Sequence, residues 1–311
     1  MKAIALGAHI LDVLGKYVTE IPEGQGGALI DEIRLSPAGA AGGTAVILSK
    51  LGAHVLSVGA VGQDDAGDVL VSMLQRFGVD CENLARRDGV QTSCTILPIR
   101  PTGERPALHV IGANATIDPD ELPWDEIADA DFLHVGGPEF LGPDNAVRIL
   151  EFCREHDVTT SADILADGWP ELLDMLAPAL PLLDYLLPNE DQAMALTGEG
   201  DPVAAGKRLL DHGVGAVALT AGEKGSILVS PEGSLTVPAF EVEVVDTTGC
   251  GDGYSAGFLR GLSLGHDTER AATIGSATAA QVAQGLGTDA GDYDLDRVLE
   301  FADSAPKLAT A

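Results

Sequence analysis

Short apolar runs alternate with amphipathic stretches along most of the chain. Residues 2–8 predict a buried strand, 44–51 a helix ending at Gly52, and 55–61 the next strand. Across 66–77, Val69, Leu70, Met73, Leu74 and Phe77 recur at helical spacing, and Gly78 ends the pattern. Apolar runs at 132–135, 158–162, 182–187 and 216–220 predict further strands, separated by helical patterns at 145–156, 190–196 and 202–212. From Gly253 onward the chain reads as helical, at 255–262, 269–284 and 295–302. This alternation predicts a mostly parallel sheet with helices on both faces.

Two regions break the rhythm. Residues 17–35 and 91–111 have no helical period, alternate like exposed antiparallel strands, and are rich in Gly, Pro and Thr. Loops of that length without structure are uncommon in a compact domain, so a small β-layer projecting from the main sheet is expected. No repeat, low-complexity tract or interdomain linker interrupts the rest, which predicts one domain over 1–311. With 45% hydrophobic and 21% charged residues, the chain has material for a large core and is not a disordered one.

Charge narrows the partners. Forty-eight acidic against 18 basic residues give a net charge of −30, a field that repels nucleic acid and anionic lipid. Neither is an expected partner, and an anionic ligand would need a local remedy. The four cysteines, at 81, 94, 153 and 250, show no C-x-x-C spacing, which fits a reduced cytoplasmic protein. No uncharged run approaches the ~18 residues of a membrane span.

That local remedy is written into residues 242–262. A β-branched, alternating segment ends at Asp246; Thr247, Thr248, Gly249, Cys250 and Gly251 follow, then Asp252 at the head of an amphipathic helix. Small residues before a helix let backbone amides converge, and the helix dipole adds positive potential there. The result is an anion hole without Lys or Arg. Asp252 at its lip is expected to be ionised at neutral pH and able to accept a proton from a hydroxyl aimed at a held phosphoryl group. The same helix N-terminus could lower the Cys250 thiol pKa and make it sensitive to alkylation.

Competing motifs fail on context. Gly253, Ser255 and Gly257 match G-x-S-x-G, but Ser255 lies inside the helical pattern, and no acidic residue stands between it and His266. Gly15-Lys16 is followed by Tyr17 and Gly206-Lys207 by Arg208, so neither is a Walker A motif. No G-x-G-x-x-G follows the first strand.

The run from Asp246 to Gly261 resembles the C-terminal signature of the PfkB (ribokinase-like) family of carbohydrate and nucleoside kinases. Residues 38–52 with 58–64 resemble its N-terminal signature, 188–192 its N-x-x-E region, and 219–225 its nucleotide-binding strand and turn. Four motifs in family order cover nearly the whole chain. The resemblance implies a three-layer α/β/α fold with a mostly parallel central sheet and a small β-lid built from 13–36 and 91–112. It implies ATP- and Mg2+-dependent transfer to a hydroxymethyl group of a sugar or nucleoside, with Asp252 as base and the amides of Gly249, Cys250 and Gly251 as anion hole.

By the same resemblance Asp12 and the Gly39 backbone hold substrate hydroxyls. Asn189 organises water around magnesium, and Thr220, Gly222 and Gly225 line the nucleotide. Asp246 and Thr248 match positions that help bind a monovalent cation, potassium, in some members. The lid would close over the substrate and pair two subunits. Arg100 and Arg105 in the second lid segment could offset substrate charge, with solvated surface as the expected role. The sequence also departs from the pattern. A family Asn that contacts sugar falls on Gly43, and the Glu of N-x-x-E falls on Gln192. A sugar kinase is the favoured reading. Alternatives are a nucleoside kinase, for which Gly43 could provide room, and a catalytically silent binding sensor, which Gln192 would suit.

Overall fold

The computed structural model describes residues 1–102, 104–166 and 170–309. Gly103, inside the second predicted lid segment, lies outside them.

Among the described residues, nine strands form the main sheet. In chain order they are β1 (Lys2–Gly7), β4 (His54–Gly62), β5 (Leu84–Arg87), β8 (Phe132–Gly136), β9 (Thr159–Asp163), β10 (Tyr185–Leu186), β11 (Ala216–Thr220), β12 (Ser226–Ser230) and β13 (Gly233–Val237). Their spatial order is β13-β12-β11-β10-β9-β8-β1-β4-β5. All neighbours are parallel up to β11, after which β12 and β13 turn back as antiparallel edge strands. A second sheet, β3-β2-β6-β7, is built from β2 (Ile10–Lys16), β3 (Glu32–Ala38), β6 (Cys94–Ile99) and β7 (Leu108–Val110).

The helices are α1 (Gly42–Lys50), α2 (Asp65–Arg76), α3 (Trp124–Ala128), α4 (Pro143–Glu155), α5 (Pro170–Leu176), α6 (Glu190–Thr197), α7 (Pro202–Asp211), α8 (Cys250–Ser263), α9 (Thr268–Ala283) and α10 (Leu295–Ser304). Alternation along β1 assigns them to faces. Ala3 and Ala5 join a core with α1, α2, α8, α9 and α10, while Ile4 and Leu6 join one with α3 to α7. A parallel sheet buried on both faces is the arrangement the apolar runs predict, and the fold is three-layer α/β/α.

Helix α8 lies close against α9. A Cβ at Gly253 would come 3.0 Å from Val282 Cγ2, at Gly257 2.8 Å from the Ile274 carbonyl, and at Gly261 2.7 Å from Ala271 Cα. Glycines four residues apart thus form the contact stripe. The G-x-S-x-G match is part of this packing surface, and Ser255 is buried within it.

Four expectations are corrected here. The segment 242–246 makes no strand: the amides of Val245 and Asp246 both donate to the Ala283 carbonyl, so a helix end takes the place of a strand partner. Helix α8 starts at Cys250, two residues ahead of Asp252, where the sequence placed its head, because its first turn is glycine-rich and has little apolar signal. The 182–187 run contributes only the two residues of β10, after a 3-10 turn at Leu180–Leu182. Asp12 lies within β2, two residues into the second sheet, ahead of the predicted lid start at 13.

Candidate active site

The C-terminal ends of the central strands define one edge of the sheet. Gly7, Gly136 and Asp163 are paired across β1, β8 and β9 at that edge. The chain between β1 and α1 folds onto it. The Ala41 and Gly42 amides donate to the Ala8 carbonyl at 3.1 Å, and Gly39 turns with φ +88°, where a Cβ would be 2.5 Å from the same oxygen. Gly39 is therefore held by its own chain in a tight turn that a side chain would not fit.

Helix α8 points its N-terminus at the same place. Gly249 occupies the N-cap with φ +79°, and a Cβ there would be 2.6 Å from Thr288 Cα. No side chain caps the helix. The Cys250 amide donates to Thr247 O and the Gly253 amide to Gly249 O. Of the first-turn amides that have no intrahelical partner, those of Gly251 and Asp252 are left to receive an anion. Gly251 faces open space, with nothing within 4 Å of its Cβ position.

Asp252 sits in the first turn, and its setting corrects the expected electrostatics. Burial first, then the carboxylates of Asp163 and Asp12, push its pKa well above the ordinary carboxylate range; Arg105 opposes them. Asp12 and Asp163 are each pushed up to about 7, chiefly by burial. The helix dipole is outweighed by this crowding of carboxyl groups. Gly43, first turn of α1, lies directly against Asp252: a Cβ there would overlap Asp252 Oδ2 and stand 2.7 Å from its Cγ. The space read as room for a larger acceptor is occupied by the carboxylate itself.

Sheet register shows which residues of the second sheet face this cleft. Ser36, Asp12, Thr95 and His109 are direct cross-strand partners and so project to one side. Thr95 stands opposite Asp12, where its hydroxyl favours the ionised carboxylate, and its Oγ1 lies 3.0 Å from His109 Nδ1. Neither Thr95 nor His109 stood out in the sequence. The signal was there: a polar residue between apolar neighbours, on strands that alternate. Arg105 is exposed, as expected, and its guanidinium also donates to Thr248 Oγ1 at 3.3 Å, close to the N-terminus of α8. Its charge favours the ionised forms of Asp12 and Asp252. Arg100 instead donates to the Val18 carbonyl at 3.0 Å.

Asp163 and Glu139 were given no site role from the sequence. Asp163 ends β9 and accepts from the Ile164 amide at 2.8 Å. Glu139 Oε1 accepts from the Leu165 and Ala166 amides, while its Oε2 is buried without a partner. Burial raises the Glu139 pKa.

Two further expected groupings fare differently. Asp246 and Thr248 hold each other. Thr248 N and Oγ1 donate to Asp246 Oδ1 at 3.0 and 2.9 Å, and Gly287 N donates to Oδ2 at 3.0 Å. With three protein donors on the carboxylate and a guanidinium at the hydroxyl, this pair does not fit a bare monovalent cation. Asn189 and Gln192 form a reciprocal capping box at the start of α6, and Gln192 Nε2 donates to the carbonyls of Ile164 and Ala166. Gln192 thus has both ends of its amide engaged in holding the chain. Thr220 pairs with Asn189 across an isolated bridge, and Gly222 opens the turn into β12 with free space before it. Gly225 is packed against the β13 end, a Cβ there standing 2.7 Å from Ala239 N.

The thiol expectation is overturned. Burial pushes Cys250 up to about 12, with Asp246 and Asp252 adding to it, against the opposing charge of Arg105. Cys250 is expected to resist iodoacetamide at neutral pH when followed by peptide mass spectrometry. Rapid labelling in the folded protein would contradict this.

The crowded carboxyls also set a stability test. A carboxyl whose folded pKa exceeds its unfolded value binds its proton more tightly in the folded state, so stability falls as pH rises between the two values. For Asp163 the cost grows from about pH 4 and is complete above about pH 7, reaching up to about 4 kcal/mol by linkage. Asp163→Asn, which keeps an oxygen for the Ile164 amide, is expected to raise Tm more at about pH 8 than at about pH 5. An equal change at both would show that the carboxyl is not desolvated.

A scan against family models matches residues 2–294 to the pfkB family carbohydrate kinase. The chain belongs to this family of kinases. It is 32% identical over 267 residues to a protein of Halopiger xanaduensis described as an ATP-dependent ribose-1-phosphate kinase, covering 86% of each chain. It is 28% identical to a nucleoside kinase of Methanothermobacter thermautotrophicus, over 92% of this chain and 90% of that one. Among solved structures, a putative ribokinase II from E. coli in complex with ATP and Mg2+ superposes with a TM-score of 0.82 at 22% identity, covering 96% and 98% of the two chains. This kinase is thus a sugar or nucleoside kinase with the ribokinase fold, acting on small molecules. None of its described helices is long and apolar enough to cross a membrane.

Proposed function

We propose that this kinase transfers the γ-phosphoryl of ATP to a hydroxymethyl group of a small sugar-like acceptor. The observation that carries the reading is the pairing of Asp252, a carboxylate with raised basicity, with amides left unpaired in the same helix turn. A base of raised pKa can take the hydroxyl proton as the bond to phosphorus forms, and the amides receive charge developing on the phosphoryl oxygens. Asp12 and the Gly39 backbone bind the acceptor, with Thr95 and His109 beside Asp12. Thr220, Gly222 and Gly225 line the nucleotide, with Asn189 next to Thr220. Glu139, with its unpartnered oxygen, and Asp163 would hold magnesium, a hard cation that takes carboxylate oxygen and would relieve their mutual repulsion.

Arg105 favours an acceptor that itself bears an anionic group, because it is the cation set against these carboxylates. The Halopiger relative, described as acting on ribose 1-phosphate, supports that choice. The test is ADP release with pentoses, pentose 1-phosphates, hexoses, keto-sugar acids and nucleosides. Turnover of a sugar phosphate above its parent sugar supports the reading. Preference for nucleosides replaces the acceptor, and nucleotide binding without turnover replaces the enzyme with a sensor.

The second sheet acts in this reading as a lid that excludes water from the phosphoryl group, and its outer face as a dimer interface. Leu35, Val13, Ile96 and Leu108 form one uncharged row across all four strands, and Leu35, Ile96 and Leu108 are exposed. Such a face fits a second copy of the same sheet. Ile96→Glu is expected to convert a dimer to a monomer in analytical ultracentrifugation, and a monomeric wild type would refute the pairing. The four free cysteines fit a reducing cytoplasm.

A further inference from the structure

The loop 287–291 joins several parts of the site. Its Gly287 amide holds Asp246, and Thr288 packs beneath Gly249 and beside Gly43. Asp289 pairs with Arg34 of β3 at 3.0 Å and accepts from Ser36 at 2.8 Å. The anion hole is therefore floored by a loop that also contacts the proposed lid. Thr288 Oγ1 is buried with no hydrogen-bond partner, so side-chain bonding does not fix this loop from within.

A further hold on it comes from far away in sequence. Lys50, the last residue of α1, donates through Nζ to the carbonyls of Asp289, Ala290 and Gly291 at 3.3, 2.9 and 2.7 Å. The same ammonium lies 3.8 Å from the centroid of the Tyr293 ring. Lysine in a last helical turn commonly serves the carbonyls of its own helix; here it serves a loop some 240 residues on. Three converging carbonyls and an aromatic face are ligands of the type that also suit a small monovalent cation. The other helix end, at Gly43, touches Asp252. One nine-residue helix thus links the base to the loop beneath the anion hole.

We propose that Lys50 is a built-in cation that positions the 287–291 loop, and through it the anion hole, so that phosphoryl transfer proceeds without an added monovalent cation. Lys50 is a positioning residue: its ammonium sets the carbonyls, the carbonyls set Thr288, and Thr288 supports Gly249. The lack of fit at Asp246 and Thr248 agrees with this, since their oxygens are committed to protein donors. Burial also lowers the Lys50 pKa to about 8, against the opposing charges of Asp289 and Asp292. The seat is therefore a desolvated one.

The proposal rests on the assignment of phosphoryl transfer to Asp252 and the α8 tip, and its test separates the two. Wild-type kinase with its best acceptor is assayed at constant magnesium and ionic strength, in tetramethylammonium chloride and then with potassium or sodium chloride substituted. Equal rates are expected. Lys50→Met is expected to lower kcat about 10-fold or more, with acceptor KM changed less, and potassium or ammonium is expected to restore part of the rate. A wild type that requires potassium or sodium overturns the proposal, as does Lys50→Met with wild-type kcat or with a loss that no cation restores. If Lys50→Met does not unfold cooperatively, Lys50→Gln takes its place, and the wild-type salt comparison remains decisive. Asp252→Asn is assayed alongside: full activity there removes the underlying site, whereas an inactive Asp252→Asn with an unaffected Lys50→Met removes only the role of Lys50.

Discussion

Asp252→Asn is expected to lower kcat by about 10²–10⁴-fold, the contribution of a positioned general base. The substitution keeps size and shape and removes only the proton acceptor. It also removes one of several carboxylates that repel one another, with Asp163 and Asp12 both raising the Asp252 pKa. Folding is therefore expected to be preserved or improved, and nucleotide affinity kept. Loss of rate in a protein with an undiminished Tm identifies chemistry as the step affected. The pH profile gives an independent reading. The acid limb of kcat/KM is expected above the ordinary carboxylate range, since the base must ionise against burial and its neighbours. Arg105→Gln moves that limb upward, because the guanidinium favours the anion; Asp163→Asn moves it downward, because a repelling charge is removed. Near-normal kcat in Asp252→Asn, or shifts of the opposite sign, would remove Asp252 as the base.

The same crowding explains why one cation reaches the site from the second sheet. Asp12, Asp163 and Asp252 are desolvated together, and a chain with 48 acidic residues supplies no positive field from its surface. Arg105 and the α8 amides are the local sources of positive potential. If the second sheet closes as the proposed lid, Arg105 would bring its charge to the site as the phosphoryl group is shielded from water.

How much of this was legible in the sequence differed by the range of the interactions. Apolar runs located β1, β4, β8 and β11 within a residue or two, because burial on both faces leaves a local trace. Asp252 stood out because glycine, small residues and an acidic residue were adjacent in the chain. The first turn of α8 was invisible to periodicity because glycines carry no apolar signal. The 242–246 segment read as a strand because β-branched alternation does not reveal whether a partner exists. Thr95 and His109 are recognised only once strand register places them beside Asp12. Lys50 is recognised only once a loop some 240 residues later arrives at its ammonium. Contacts of that separation leave no period to read.

Gly43→Ala is expected to lower kcat about 10²-fold, the scale of loss for a reacting group displaced by roughly 1 Å. Gly43 is buried at the start of α1, and its amide donates to Gly39 O at 2.7 Å, so its backbone is held in place. A methyl group would overlap Asp252 Oδ2 and stand 2.9 Å from Thr288 Cγ2. Asp has no long flexible end to swing aside, and Thr288 belongs to the loop that Lys50 holds. Either the carboxylate rotates away from the acceptor or α1 moves off the sheet. The first predicts a fall in kcat with acceptor KM nearly kept; the second adds about 1–3 kcal/mol of destabilisation from overpacking, seen as a lower Tm. Gly43→Asn, which restores the residue type the resemblance led one to expect at this position, should be at least as damaging, since it places a larger group against the same carboxylate. If Gly43→Ala retains wild-type kcat, the carboxylate has room to move, and the close approach of α1 is not what aims the base.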